Sequence, residues 1–444
     1  MILKNFHLVD ETLDTTGTLI IENGFISDVF PNALRGTIIE KLSFPEDDCT
    51  AMIIDGNALS PSGELPLLMP AFVDLHAHFR DPGLSPENVS LPSEVLESAS
   101  LSAAAGGFGT VICMANTNPP IDTIEKAATI KRRSDDMGLI DLYPVLSLSK
   151  NMEGKELSEI TRLSPDGDSY LPLMLSEDGK DLADDDLFLA AMKEAKRLGI
   201  PISCHCDFGG DENSAVRRVI ELGKKADCRI HIAHVSTKEA IDTIYQEQQD
   251  NLLWFDRTDN VVEPEFDLTG EATPHHLCLT DKDAKRLGDK TWGRVNPPLR
   301  SEEDRQALTH ALTYGVIEAI ATDHAPHTAT GKEAGAPGFS GFETAFAAVY
   351  TELVRGGGID LKRLSSLMSA GPANLIGLDG NPQGRGRLLR GYKADLVIID
   401  PSAEWIVDPA LFRSRGKNSP FKERELYGKI LMTLHCGRVV FQCN

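Results

Sequence analysis

The sequence lacks an apolar run long enough to cross a membrane. Such a span needs roughly 18–20 consecutive apolar residues, and every apolar stretch of the 444-residue chain is shorter. The opening segment, MILKNFHLVDETLD, also has no basic stretch followed by an apolar run, so it does not resemble a secretory signal peptide. Both absences predict a cytoplasmic protein without membrane contact.

Positive charge is scarce as well. The 44 lysines and arginines are outnumbered by 67 aspartates and glutamates, which gives a formal net charge of -23. A chain this acidic repels the phosphate backbone of nucleic acids and anionic lipid surfaces. The charge balance therefore excludes nucleic acid as a partner, and an anionic small-molecule substrate would need a local cation in its binding site.

Cysteines are few and irregularly placed. Eight are scattered along the chain, and their spacings match no zinc ribbon or disulfide framework. They are typical of reduced thiols in a cytosolic protein. Cys204 and Cys206 flank His205, but successive residues of a strand face opposite sides, so both thiols point away from the side that His205 faces. The two thiols are therefore predicted to pack in a barrel wall.

The two ends of the chain share a style of short β-rich segments separated by turns. The stretch LIIENGFISDVF (19–30) has an Asn-Gly turn between two β-rich runs, which predicts a hairpin. ADLVIID (394–400) and KILMTLHCGRVVFQ (429–442) have the same character. Because chain termini often lie close together, we predict one small β-sandwich domain built from residues 1–70 and 385–444.

The middle of the chain, residues 71–384, alternates between apolar runs and helical patterns such as 182–199 and 237–249. Most runs begin apolar and end in His, Asp, Glu or Asn, and the chemistry of a (β/α)8 barrel lies at such strand ends. The pattern predicts an α/β fold with a TIM-type (β/α)8 catalytic barrel. The eight runs lie at 71–79, 109–116, 142–148, 170–178, 200–207, 229–237, 270–277 and 317–325.

Ligand-type side chains stand at five of these predicted strand ends. His76 and His78 are two residues apart, so both imidazoles face the same side of a strand. Neutral imidazoles and carboxylates suit zinc. Six such ligands exceed one tetrahedral site, so a pair of zinc ions bridged by a carboxylate would use them all. The six are His76, His78, Asp178, His205, His234 and Asp323.

Each of these residues also has a structural interpretation when taken alone. A histidine at a strand end is often a core or loop residue bonded to backbone, and Asp178 could cap a helix. Those interpretations would have to place six ligand-type side chains on one barrel face by chance. The other histidines in the last three runs are predicted to be structural (His231), outward-facing (His324) or hydrogen-bonding partners of the ligands (His275 and His276).

Seven segments then form an ordered set along the chain. They are DLHAHFRDPG (74–83), CMANTNPP (113–120), HIAHVST (231–237), EATPHHL (271–277), NPPLR (296–300), IATDHAPH (320–327) with Lys332, and SRGKNSPF (414–421). This set resembles the dihydroorotases of the amidohydrolase superfamily over nearly the whole chain. The resemblance implies a (β/α)8 barrel flanked by a β-sandwich of both termini, two zinc ions held by the six residues above, and opening and closing of a dihydropyrimidine ring.

The resemblance also implies how substrate is held. Arg80 would pair with the substrate carboxylate through its planar fork, which supplies the local cation that an acidic protein needs. Asp323 would act as general base and then general acid, passing a proton from the attacking water to the departing ring nitrogen. Besides Arg80, the implied substrate-binding residues are Asn116 and His327, which would share that carboxylate, and Asn296, which would reach the ring.

The metal bridge departs from a common pattern of the superfamily. Many relatives use a carboxylated lysine at the end of strand four, whereas this chain has Ser-Glu-Asp-Gly there. The resemblance assigns the bridge to Asp178, with Glu177 as the fallback. The oligomeric state stays open, with a homodimer as the candidate, and the stretches 253–270 and 328–341 are the candidate lid loops.

Two other functions stay open on the sequence alone. A hydantoinase or allantoinase would share the barrel and metal chemistry, but its substrates lack the carboxylate that Arg80 and NPPLR (296–300) would bind. An inactive, metal-free partner of a transcarbamoylase is the second, although such proteins lose ligands and this chain keeps all six. The preferred interpretation is a zinc-dependent dihydroorotase, which reversibly cyclises N-carbamoyl-L-aspartate to L-dihydroorotate in pyrimidine biosynthesis.

Overall fold

A computed structural model describes residues 1–31, 52–59, 63–81, 93–165, 167, 170–179, 182–206, 210–252, 267–380 and 383–443. In these ranges the strands are β1 (Ile2–Val9), β2 (Asp14–Glu22), β3 (Phe25–Pro31), β4 (Ile53–Asp55), β5 (Leu67–Pro70), β6 (Phe72–Ala77), β7 (Phe108–Cys113), β8 (Asp141–Pro144), β9 (Leu175–Ser176), β10 (Ile202–Cys204), β11 (Ile230–Ile232), β12 (Leu268–Ala272), β13 (Ala319–Ile320), β14 (Leu396–Ile406), β15 (Glu425–His435) and β16 (Arg438–Gln442). The α-helices are α1 (Gly56–Leu59), α2 (Leu96–Ala105), α3 (Ile124–Met137), α4 (Asp185–Leu198), α5 (Glu212–Ala226), α6 (Lys238–Leu252), α7 (Pro274–Cys278), α8 (Asp281–Leu287), α9 (Glu302–Tyr314), α10 (Ala329–Glu333), α11 (Phe342–Val349), α12 (Leu361–Ser365) and α13 (Gly371–Leu375).

The strands β6 to β13 form a closed parallel barrel. They pair in sequence order in two sheets, one of β6, β7 and β8 and one of β9 to β13. Two isolated parallel bridges join the sheets, because Leu146 pairs with Leu175 and Ala77 pairs with His324. Each of the eight apolar runs contains or overlaps one of these strands. The predicted (β/α)8 barrel is confirmed.

The barrel strands and helices follow from local sequence. All residues of β6 and β7 are buried, as expected for parallel strands covered on both faces. The helix α4 begins after Asp184, whose side chain accepts hydrogen bonds from the first-turn N–H groups. It ends at Gly199, whose φ of 70° suits a residue without a side chain. The helix expected at 182–199 is thereby confirmed.

The terminal segments form the predicted small β-sandwich. Its strands are joined in one hydrogen-bonded sheet, in the order β16-β15-β14-β5-β1-β2-β3, with β4 beside β1. The predicted hairpin joins β2 and β3, where Asn23 and Gly24 both have positive φ, 51° and 83°. The module has its own apolar core, which includes Leu3, Phe6 and Leu396. The domain boundaries at residues 70/71 and 384/385 stay a prediction.

Some expectations from the sequence fall outside the described residues. They concern Cys49 and most of the candidate lid 253–270. Cys204 and Cys206 are buried, as expected for packing residues. Across the part of the chain that the structure describes, no helix is both long and apolar enough to span a membrane.

A buried ionic cluster joins the sandwich to the barrel. Asp141, the first residue of β8, pairs with Arg385 and lies 2.9 Å from the Lys393 ammonium nitrogen. His435, at the end of β15, has Nδ1 3.1 Å from Asp395 Oδ1. Burial opposes a charge on this imidazole, but Asp395, Cys436 and Asp141 raise the pKa of His435 to about 10. The histidine is therefore charged in the folded protein.

This charge predicts a pH-dependent stability. The folded pKa of His435 exceeds its unfolded value of 6.5, so its stabilising contribution is complete below pH 6.5 and is lost as pH rises through about 10. We expect the thermal unfolding midpoint to fall across this window, and to fall less steeply in His435→Gln than in wild type. His310→Gln, which alters an exposed histidine, is the control. Parallel profiles for wild type and His435→Gln would contradict the assignment.

Candidate metal centre

The barrel gathers the six predicted ligands at the carboxyl ends of its strands. His76 lies in β6 and His78 just beyond it, while the others follow β9, β10, β11 and β13 within three residues. None is more than 8% exposed. The side chains brought together are those of His76, His78, Asp178, His205, His234 and Asp323.

The ligand atoms form two overlapping groups that share His76. In the first, His76 Nε2 lies 3.0 Å from Asp178 Oδ1, with His234 completing the group. In the second, Asp323 Oδ1 lies 3.1 Å from His78 Nε2 and 3.7 Å from His76 Nε2. Within each group all ligand atoms are within 4.8 Å of one another. The arrangement can hold a divalent cation.

His205 extends the first group. Its Nδ1 lies 2.6 Å from His234 Nε2 and 3.6 Å from Asp178 Oδ1. Two imidazole nitrogens this close can share one proton or one cation between them. Burial and the neighbouring His205 lower the pKa of His234 well below its usual range, so His234 is neutral. A neutral imidazole is the form that binds metal.

The proton positions of His76 also fit a cation. Its Nδ1 lies 2.8 Å from Glu271 Oε1, and a carboxylate can only accept there, so Nδ1 carries the proton. Its Nε2 faces the carboxylates of Asp178 and Asp323, and it is buried without a hydrogen-bond partner. Burial opposes a charge on this ring, but Asp178 and Glu271 raise the pKa of His76 well above its usual value, so positive charge is favoured at this position, as a proton or as a cation. Lone pairs directed at carboxylate oxygens repel them unless positive charge lies between. The donor set therefore suits a metal ion.

Asn116 fixes the second imidazole in the same way. Its Oδ1 accepts from His78 Nδ1 at 2.7 Å, and its Nδ2 donates to Asp178 Oδ2 at 2.7 Å. His78 Nε2 is thereby turned toward Asp323, whose Oδ1 lies 3.1 Å away. The sequence assigned Asn116 to the substrate carboxylate, whereas in this structure its amide links two predicted ligands.

Glu271, in β12, is a functional residue that the sequence analysis missed. It holds His76 through Oε1, lies 3.0 Å from His231 Nε2 through Oε2, and accepts the backbone N–H of His234 at 3.3 Å. Burial alone would raise its pKa, but hydrogen bonds from His231 and His76 lower the pKa of Glu271 to about 2. The available signal was a glutamate among uncharged residues in a strand, LTGEA, that is buried except at Thr269.

Three site residues have left-handed backbone conformations. The φ angles are 54° for Arg80, 32° for His234 and 46° for Asp323. Residues other than glycine adopt this region at an energetic cost, and such strain gathers at functional sites. The strand ends are thus bent to direct these side chains into the barrel mouth.

Two predicted substrate residues lie on this mouth. Arg80 Nη1 is 3.5 Å from Asn116 Oδ1, and the buried Arg80 Nε has no hydrogen-bond partner. Among the residues that the structure describes, Arg80 forms no ion pair within 4.0 Å. The Asn296 amide nitrogen lies 3.3 Å from His205 Nε2.

His327 stands on the loop after β13. Its Nε2 donates to the carbonyl of Pro337 at 2.7 Å, and its backbone N–H donates to Asn418 Oδ1 at 3.0 Å. Burial, with Arg80 nearby, lowers the pKa of His327 to about 4. The ring is neutral and held in place.

The remaining histidines differ from expectation in two respects. His275 and His276 were expected to bond to the ligands, but His276 bonds to Thr273 and His275 Nε2 is buried without a hydrogen-bond partner. His324 was expected to face outward, but it is fully buried, stacked on Phe342, with Nδ1 accepting from the Gly341 N–H. It is buried because β13 is very short, and the chain beyond it turns under the loop that follows. His231 is bonded to Glu271 and Thr269, and His276 donates to the carbonyl of Pro297.

Comparison with known proteins agrees with this architecture. The model of the amidohydrolase family matches residues 67–440. A dihydroorotase of Clostridium botulinum (strain Eklund 17B / Type B) is 34% identical over 450 residues, covering 100% of this chain and 99% of the relative. A dihydroorotase of Aquifex aeolicus (strain VF5) is 32% identical over 470 residues, covering 100% and 99%.

Solved structures with the same fold include two hydantoinases. The L-hydantoinase (dihydropyrimidinase) of Arthrobacter aurescens superposes with a TM-score of 0.79 at 26% identity, covering 99% of this chain and 96% of that one. A D-hydantoinase of Thermus sp. superposes with a TM-score of 0.77 at 20% identity, covering 100% of this chain and 96% of that one. This second similarity supports the fold alone. The chain therefore belongs to the amidohydrolase family, and within it to the dihydroorotases.

Proposed function

We propose that this protein is a cytoplasmic zinc-dependent dihydroorotase that interconverts L-dihydroorotate and N-carbamoyl-L-aspartate. The observation that carries the proposal is the meeting of four imidazoles and two carboxylates beside the half-buried Arg80, whose Nε is buried without a hydrogen-bond partner. Cyclic amide hydrolysis needs the metal ligands, and the substrate carboxylate needs the guanidinium. A homodimer is the oligomeric state we propose.

Two zinc ions would be held by the six residues of the centre. Asp178 is the proposed bridge, because Oδ1 faces His76 and His205 while Oδ2 lies 3.6 Å from His78 Nδ1. Glu177, the fallback, instead accepts the backbone N–H of Ser149 at 2.9 Å. When bound, the zinc ions would polarise the ring carbonyl and make water a stronger nucleophile near neutral pH.

The chain's own residues perform the proton transfers and the positioning. Burial opposes ionisation of Asp323, but His78 and His76 lower its pKa below its usual range, so the carboxylate is ionised, which is the form that can accept a proton. It takes one from the attacking water and delivers it to the ring nitrogen as the carbon–nitrogen bond breaks. Arg80 holds the substrate carboxylate by charge-assisted hydrogen bonds.

A hydantoinase is the rival that the solved structures suggest. Hydantoin carries no carboxylate to satisfy the buried Arg80 Nε. We expect one purified sample to contain zinc and to hydrolyse dihydroorotate far faster than hydantoin or allantoin. Preferential hydrolysis of hydantoin would instead indicate that the protein is a hydantoinase. A sample purified without chelator that contains no metal and turns over none of the three would favour the inactive partner of a transcarbamoylase.

Glu271→Gln should weaken zinc binding. Glutamine has one acceptor oxygen, and its amide N–H groups would oppose the N–H of either His76 or His231, so His76 loses its fixed ring orientation. Loss of such a partner lowers metal affinity about 10- to 100-fold. The zinc dissociation constant of the apoprotein, measured by competition with a chelating dye, tests this directly.

The matched control is Glu318→Gln. Glu318 accepts hydrogen bonds from the Gly270 N–H and Gln248 at the start of β13, and none of its hydrogen-bond partners belongs to the centre. The Glu318→Gln variant should therefore have the zinc affinity of the wild type. Equal affinities for wild type and Glu271→Gln would show that Glu271 does not orient a ligand.

A further inference from the structure

A segment near the end of the chain lies against the barrel mouth. We call residues 413–419, between β14 and β15, the C-terminal strap. Glu343, in α11, accepts the backbone N–H groups of Arg413 and Ser414 at 2.8 and 3.1 Å. Glu94 accepts the Ser414 hydroxyl and the Arg415 N–H. Two carboxylates, the fully buried Glu94 and the partly buried Glu343, therefore fix the first half of the strap.

The second half of the strap packs against the loop that follows β13 and forms hydrogen bonds with it. A Cβ atom on Gly416 would lie 2.5 Å from Pro326 Cβ, so only glycine allows this approach. Asn418, 2% exposed, uses both ends of its amide on that loop. Its four side-chain hydrogen bonds join Oδ1 to the His327 N–H (3.0 Å) and Ser340 hydroxyl (2.9 Å), and Nδ2 to the carbonyls of Ala325 (3.1 Å) and Gly338 (3.0 Å).

The same loop is held from its other side by Lys332. This lysine is fully buried, and its ammonium donates to the carbonyls of Arg294, Ala336 and Gly338 at 2.8 to 2.9 Å. Gly338 O thus accepts from both Lys332 and Asn418. The stretch 328–341, a candidate lid on the sequence, is fastened at both faces in this structure.

We propose that Asn418 is a positioning residue that sets the place of His327 for recognition of the substrate's carboxylate. The inference rests on the proposed function. Asn418 binds the backbone N–H of His327 itself, and through Gly338 it holds the turn beside Pro337, whose carbonyl fixes the His327 ring. Backbone and ring of one residue are therefore both set by one amide from a distant part of the chain.

The test compares Asn418→Ala and the milder Asn418→Ser with Ser414→Ala. The control removes the strap hydrogen bonds that the Ser414 hydroxyl makes with Glu94 and with the Gly416 N–H, but no hydrogen bond to the loop. For Asn418→Ala we expect KM for dihydroorotate, and the dissociation constant of the non-hydrolysable analogue orotate, to rise about tenfold. The kcat value should stay within about threefold, zinc content should be unchanged, and amide hydrogen exchange should accelerate in 325–340 only. Asn418→Ser should fall between.

Several results would overturn the inference. They are a fall in kcat at constant KM, loss of zinc, an equal effect in Ser414→Ala, or general unfolding of both Asn418 variants. If wild type neither hydrolyses dihydroorotate nor binds orotate, the proposed function fails. The exchange comparison then decides alone whether Asn418 orders the loop, with faster exchange in 325–340 supporting it and unchanged exchange overturning it.

Discussion

Asp323→Asn is expected to lower kcat for dihydroorotate by roughly 10²- to 10⁴-fold, the usual contribution of a general acid–base group. Asparagine keeps the shape and one oxygen near His78, but it cannot take a proton from water or return one to the ring nitrogen. Zinc should remain bound, because the other five ligands are untouched. Steady-state kinetics with zinc analysis of the same sample measure both properties.

A control and a contrary result define this test. Asp10→Asn changes a buried aspartate of the sandwich that accepts hydrogen bonds from Thr12 and Leu13, and it should leave kcat unchanged. Turnover near the wild-type value in Asp323→Asn, with full zinc, would exclude Asp323 as the proton carrier. Loss of zinc together with activity would show that its larger role is as a ligand.

Arg80→Met should reduce kcat/KM for dihydroorotate by roughly 30- to 3000-fold. Removing one partner of a buried, hydrogen-bonded charge pair costs about 2–5 kcal/mol, and each 1.4 kcal/mol is a factor of ten. Burial lowers the pKa of Arg80 against the attraction of Asp178 and Asp323. Pairing with an anion offsets the cost of desolvating this arginine. The reduction in kcat/KM should therefore be specific to substrates that carry a carboxylate.

Arg80→Lys separates charge from geometry. Lysine keeps the positive charge but loses the planar fork, so its activity should fall between those of wild type and Arg80→Met. Orotate affinity should follow the same order, since binding of the carboxylate does not require turnover. Unchanged orotate affinity in Arg80→Met would remove Arg80 from the substrate site.

The sequence was most informative where chemistry and secondary structure coincide. His76, His205 and Asp323 could be placed together because polar residues at the ends of apolar runs meet at one barrel face. The resemblance favoured Asp178 over Glu177 as the bridge, and in the structure Glu177 accepts the backbone N–H of Ser149. The roles of these residues as ligands stay a prediction.

Contacts between distant segments could not be predicted in this way. Glu271 belongs to β12 and meets His76 of β6 across the barrel, a pairing that no local pattern encodes. Asn418 occupies a segment with loop-like composition, and its four partners lie on another loop. His324 was misassigned because an alternating strand pattern was extended beyond β13, which ends at Ile320.

The shared sheet of the two termini has a consequence for biosynthesis on the ribosome. The edge of β5 is completed by β14, through the pairs from Leu67 with Ile399 to Pro70 with Leu396. A nascent chain therefore carries an open, aggregation-prone edge beside its first barrel strand until residues 396–399 emerge. The strap is translated later still. A polypeptide stalled before the strap would contain every predicted metal ligand but would lack the contacts that the strap makes with the loop after β13.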